Sequence, residues 1–372
     1  MINGTPSLFV STLSDQRPVG VEPFLDRYAR EFTYYGSGKV ALRDGLAGLV
    51  EPGENVVLPA YLPDAVAEPL VELGLEVRYY RVEPSLAPDL ADLERRIDDD
   101  TVAAVSVNYF GFPQPGLEEF VSLVSEYDCY HVDDNAHAPF SVDRGTLLGT
   151  RGHLGITSLW KMLPIPDGAV LYRSDDSVID RYEPSSLAGV RDGIGSRDCR
   201  FVATSIVDDL FGTNGAIRQS IDALVAGRGE SPAVGGQRER YERSKQPMSK
   251  LSMYVLEDAD PGEIRSARRE NYRAWRDHLE GRDDVELLYE SLPDGICPQV
   301  LPVRAIDAES FLAELEACGI DGVHTWPRLS PTVLDDPSYE TTRRLSRSIV
   351  TLPVHQQIDP VAIDEHATEL GQ

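Results

Sequence analysis

Between about residues 37 and 173 the chain alternates short apolar runs with amphipathic segments. The runs at 55–59, 75–82, 102–107 and 129–132 are rich in β-branched and aromatic residues and read as strands. Between them, residues 40–50, 65–73, 86–97 and 116–127 carry apolar positions at helical spacing, the first stopped by Glu51-Pro52-Gly53. Strands and helices taking turns predict an α/β fold, a mostly parallel sheet sandwiched by helices. Ligands of such sheets bind beyond the carboxyl ends of the strands, where Asn108, Asp134 and Lys161 fall. Residues 174–250 carry a weaker pattern, with a helix after Ala203 and a Gly-rich loop or linker over 226–237. The domain change is placed near residue 245, giving a large domain over 1–245 and a smaller α+β domain over 246–372. The second opens on helical spacing across 263–279.

Composition alters this picture in one respect. The chain has 372 residues with 62 acidic against 35 basic, a net charge of -27. The acids are spread along the whole length rather than gathered in a block. Such a surface suits a halophile cytoplasm, where the Debye length falls to about 3 Å at 1 M salt and self-repulsion is screened. It also disfavours nucleic acid as a partner. Cys129, Cys199, Cys297 and Cys318 form no Cys-x-x-Cys pair, so no metal site or thiol redox motif is expected. No segment approaches a membrane span and the first residues lack a basic, apolar leader, so the expectation is a soluble cytoplasmic protein with no membrane partner.

The positive charge is almost all arginine; lysine occurs only as Lys39, Lys161, Lys245 and Lys250. That makes Ser158-Leu159-Trp160-Lys161, at the end of an apolar run, conspicuous. A desolvated lysine has a lowered pKa and becomes a nucleophile near neutral pH. Earlier, His131-Val132-Asp133-Asp134-Asn135-Ala136-His137 ends another run on acids. A lysine that forms an imine and a carboxylate that keeps a pyridine nitrogen protonated are what a pyridoxal phosphate enzyme needs. Each segment alone also reads as ordinary: a lysine with its head in water, and solvated acids in an acidic protein. Tyr35-Gly36-Ser37-Gly38-Lys39 precedes a helix, where Ser37 either caps it or helps its amides hold a phosphate. Asn108-Tyr109-Phe110-Gly111-Phe112-Pro113 ends a strand in a turn.

In this order and spacing the segments resemble the DegT/DnrJ/EryC1/StrS aminotransferases, fold type I pyridoxal phosphate proteins that mostly act on nucleotide-linked keto sugars. Ser37-Gly38-Lys39-Val40-Ala41-Leu42 is similar to the family's Ser-Gly-Thr-x-Ala-Leu turn, and Asp133-Asp134-Asn135-Ala136-His137-Ala138 to its Glu-Asp-Ala-Ala-Gln/His-Ala. Ser158 to Lys161 followed by Asp167-Gly168-Ala169-Val170 resembles the Schiff-base lysine and its glycine hairpin. Asn108-Tyr109-Phe110-Gly111, Gly319-Ile320, His324 and the run 346–355 fit the same pattern. The resemblance implies that Asp134 pairs with the pyridine nitrogen, His137 lies near the phenolic oxygen, and Ser158 with the amides of Ser37, Gly38 and Lys39 binds phosphate. Lys161 would hold the cofactor and then carry the substrate proton.

Departures from the family are visible too. Lys39 replaces a threonine, an ammonium where a phosphate hydroxyl usually stands. Pro59-Ala60-Tyr61-Leu62-Pro63 puts proline where many members carry a ring-stacking aromatic; Tyr61 is a candidate substitute, though it also reads as core packing, and Asn108 is a further cofactor contact. His324, His355 and the arginines near 268 could face a substrate but are read as structural. The expectation is a homodimeric aminotransferase that passes an amino group from a glutamate-like donor to a keto sugar in glycan or polysaccharide biosynthesis. The alternatives are elimination, dehydration or desulfuration on the same cofactor, or a non-catalytic protein retaining the fold. Lysine at position 161 argues against the family's sugar dehydratases, where that residue is replaced.

Overall fold

The computed structural model describes residues 2–8, 20–211 and 237–370. Strands β1 (Glu31–Tyr35), β2 (Asn55–Pro59), β3 (Glu76–Tyr80), β4 (Thr101–Val107) and β5 (Tyr130–Asn135) come first. A small ribbon, β6 (Val142–Asp143) with β7 (Thr146–Leu147), precedes β8 (Leu154–Ser158) and β9 (Ala169–Arg173). Apart from the ribbon they form one seven-stranded sheet in the order β1-β9-β8-β5-β4-β2-β3. Only β9 runs against the rest, pairing antiparallel with both β8 and β1. Every residue of β2, β8 and β9 is buried, as the helices on both faces require.

Most elements fall where the pattern predicts them, and the differences have local causes. The strand expected over 129–132 continues through Asp133, Asp134 and Asn135, because its ladder with β4 and β8 continues across Val107↔Asp134 and Asn135↔Thr157. The helix expected over 86–97 starts only at Leu90, since Asp89 caps it by accepting from the Asp92 amide. The segment 65–73 divides into a short turn, Asp64–Val66, and a helix, Glu68–Glu72, with a proline in its first turn. The helix expected after Ala203 begins earlier and spans Ser196–Phe211. Of the loop expected over 226–237, residues 226–236 lie outside the described ones and Gln237 opens a helix to Ser244.

The C-terminal part is built on a second, antiparallel sheet of β10 (Val285–Leu287), β11 (Val300–Ala305), β12 (His324–Thr325) and β13 (Ile349–Pro353), ordered β10-β11-β13-β12. The helix Pro261–Leu279, capped by Asp260, packs beside Pro360–Ala367 and against this sheet. We keep 1–245 and 246–372 as our proposed division. The helix Lys250–Asp258 that follows it packs back onto the first domain, with Met248 and Leu256 in the cluster that holds Val21, Leu25 and Leu159.

Candidate active site

The carboxyl ends of β5 and β8, neighbours in the sheet, carry Asp134 and Ser158, and a single turn, Leu159–Lys161, continues from β8. Opposite Ser158 stands the first turn of the helix Gly38–Ala47. A Cβ on Gly38 would lie 2.9 Å from the Ser158 Oγ, so only glycine lets that hydroxyl approach the helix end. Ser37 occupies the N-cap position but its side chain caps nothing. The first turn of the helix thus lies beside the Ser158 hydroxyl with its amides and Ser37 at the helix end, an arrangement suited to an anion. Lys39 departs from expectation: its ammonium sits 2.6 Å from the Glu68 carboxylate and 5.0 Å from the Tyr241 ring centre. The cation that stands in place of a phosphate hydroxyl is already engaged in an ion pair.

Successive residues of β5 point to opposite faces, which separates two adjacent acids. Asp133 accepts from Asn108 Nδ2 at 2.7 Å and from the amides of Gly149 and Arg151 at 2.9 and 3.1 Å, a fully satisfied structural anion. Among the described residues Asp134 accepts only from the Ala136 amide, at 2.8 Å. Burial pushes its pKa up to about 6, against the pull of that amide and of Lys161. Burial likewise lowers the Lys161 ammonium to about 8, with Asp134 working the other way. His137 accepts from the Phe110 amide at 3.1 Å through Nδ1, which assigns its proton to Nε2, and burial keeps it neutral. Phe110 pays for that contact with a left-handed backbone, φ 58°.

Lys161, His137 and Phe110 open on a cavity of about 470 Å³ closed by Trp326, Arg268 and His324. In a chain with 62 acidic residues, none of the described residues lining this cavity is acidic. The Trp326 ring stands edge-on to His137, 4.9 Å between centres. Gly4, Thr5 and Pro6 line the same space.

Residues 32–225, just over half of the chain, match the DegT/DnrJ/EryC1/StrS aminotransferase family. The chain belongs to that family. Similar solved structures include DesV from S. venezuelae, captured with a ketimine intermediate, at 18% identity over 96% of this chain and 90% of that one, TM-score 0.67. The sugar aminotransferase CalS13 from Micromonospora echinospora is 19% identical over 100% and 99%, TM-score 0.68. The E. coli GDP-4-keto-6-deoxy-D-mannose-3-dehydratase, with bound hydrated pyridoxal phosphate, is 15% identical over 100% of both chains, TM-score 0.66. At these identities the likeness is one of fold, that of the fold type I pyridoxal phosphate enzymes.

Two residues expected at the family's cofactor site face elsewhere. Asn108 is buried with its amide on Asp133 and its carbonyl oxygen on the Gln114 amide, so both ends of the side chain are committed to the sheet. Tyr61 is enclosed, its hydroxyl donating to the Trp326 carbonyl at 2.5 Å and its ring edge-on to Tyr109 and Trp326. It joins the two domains and does not line the cavity. Conversely, the sequence does not mark Phe110 or Trp326 individually as site residues: Phe110 lies within a turn that ends a strand, and nothing short-range marks Trp326.

Proposed function

We propose that the protein is an aminotransferase that moves an amino group from a glutamate-like donor to a keto sugar, with a nucleotide-linked sugar as the favoured acceptor and a homodimer as the working unit. The family's cofactor is pyridoxal 5'-phosphate, and the residues present fit it: an uncapped serine and free amides at a helix end for the phosphate, a buried acid for the pyridine nitrogen, an enclosed lysine for the aldehyde. When bound, the cofactor supplies an electron sink for the bond broken at the substrate carbon. In this reading Ser37, Gly38 and Ser158 hold phosphate, and Asp134 keeps a proton on the ring nitrogen. The Nε2 proton of His137 would be available to the phenolic oxygen. Lys161 would anchor the cofactor, and its amine would hold and move the substrate proton.

The observation that carries the reading is the electrostatic influence of buried Asp134 on Lys161, whose cavity has no acid among its described lining residues. Its described lining includes the Arg268 guanidinium and no acid, a setting that favours anionic substrates such as an amino dicarboxylate or a sugar diphosphate. Elimination chemistry is the second reading, supported by the likeness to a dehydratase. The deciding measurement is the visible spectrum of protein purified in high salt with pyridoxal phosphate, before and after L-glutamate. A band that glutamate converts to the pyridoxamine form, absent in Lys161→Ala, is expected. A variant that keeps full activity would sink the proposal, and a lysine-dependent band indifferent to glutamate favours elimination or another donor.

A further inference from the structure

Arg268, on the helix Pro261–Leu279, is 1% exposed, and among the described residues no carboxylate pairs with it. Burying an unpaired cation is costly, so its hydrogen bonds reveal what it is held for. Nη2 donates to the Met162 carbonyl at 3.2 Å, the residue directly after Lys161. Gln356 Nε2 donates to the same carbonyl at 3.0 Å, and Gln356 Oε1 accepts from Arg268 Nε at 3.0 Å, closing a triangle. Asn271, one turn along the same helix, donates to the carbonyls of His355 and Ile358 and so holds the loop that carries Gln356. Nη1 of Arg268 donates to the carbonyls of Pro298 and Gln299 at 3.3 and 3.0 Å. The Gln299 amide in turn donates to the Phe110 carbonyl at 2.8 Å, and the Phe110 amide to His137. One guanidinium of the smaller domain thus has a direct route to the turn bearing Lys161 and a three-link route to His137.

We infer that Arg268 and Gln356 are positioning residues which clamp the Met162 carbonyl and thereby set how deeply the Lys161 amine sits in the cavity. The inference takes Lys161 as the cofactor-bearing lysine, as proposed above, but does not depend on which substrates follow. The clamp draws the end of the Leu159–Lys161 turn toward the second domain, where Nη2 of the arginine and the amide of glutamine both terminate on one oxygen. Without it the turn swings outward, water reaches the amine, and the lysine regains ordinary basicity.

The test uses full-length protein and two variants, Gln356→Leu and Arg268→Met. Competitive acetylation across pH, read by mass spectrometry on the peptide containing Lys161, gives the midpoint of that amine. Pyridoxal phosphate affinity is read by visible titration, and folding by circular dichroism and thermal melting. The expected result for Gln356→Leu is a cooperative melt, a Lys161 midpoint raised by about half a unit or more, and cofactor affinity lowered about tenfold. Arg268→Met should shift both further. If Arg268→Met does not fold, Gln356→Leu decides alone, since it removes one of the two bonds to Met162 and the partner of Arg268 Nε while leaving the guanidinium in place. Folded variants whose Lys161 midpoint and cofactor affinity match the wild type overturn the clamp, even if they melt earlier. A shifted midpoint in a protein that fails to react with glutamate would uphold the clamp while the aminotransferase reading fell.

Discussion

Asp134 is held where its charge is unwelcome, and this has a measurable signature. Its pKa in the folded protein is about 6, above the value near 4 of an unfolded chain. Its contribution to stability is therefore complete below about pH 4 and is lost as pH rises through about 6. Asp134→Asn imitates the neutral acid. The variant, free of cofactor, should equal the wild type at low pH and exceed it at pH 8 by up to about 3 kcal/mol, as read by urea unfolding. The same change removes the group that raises the Lys161 pKa, so that midpoint should fall below about 8. Pyridoxal phosphate affinity should drop in parallel, a trade of function against stability at one residue. An unchanged urea midpoint at pH 8 would mean that Asp134 is already neutral or solvated there.

At the scale of elements, the site is an arrangement of strand ends and one helix end brought close by glycine. Gly155 in β8 shows how tight the sheet is: a Cβ there would lie 2.0 Å from the Gly149 carbonyl oxygen and 2.6 Å from that of Asp133. Gly38 has a different role, since the helix itself accepts alanine and the obstruction is only the Ser158 hydroxyl. Gly38→Ala should leave the melting temperature within a few degrees of the wild type and lower cofactor affinity about tenfold by displacing Ser158. Calorimetry and visible titration on one preparation check both halves, and an unaffected affinity would remove Ser158 and Gly38 from the phosphate site. Much of this was legible in residue order. The glycines and Ser37 before a helix, the acid ending one run and the lysine ending another are local patterns that survive in three dimensions. The roles of Asn108, Tyr61 and Lys39 were not, because each side chain had several partners within reach and its neighbours in sequence do not choose among them.

For the whole molecule, the net charge of -27 is carried by acids spread along the chain, and self-repulsion opposes compactness. Raising KCl from 0.1 to about 2 M, which shortens the Debye length to a few ångströms, should raise the thermal midpoint progressively. A flat or falling response would show that surface repulsion does not limit this fold. The two domains also meet through long-range pairs, including Tyr61 with the Trp326 carbonyl across 265 residues of sequence.

The alternation of apolar runs and amphipathic segments by itself determined a parallel sheet flanked by helices, since burial on both faces demands that pattern over a few residues at a time. The same reading placed Asp134, Ser158 and Lys161 at strand ends, because strand polarity and turn chemistry are local. Only the tertiary structure decided which groups share the cavity. Arg268 and Met162 are 106 residues apart and Gln356 and Met162 are 194 apart, yet they meet at one carbonyl. Hydrogen bonds of that span form when two domains pack, and no periodicity along the chain encodes them.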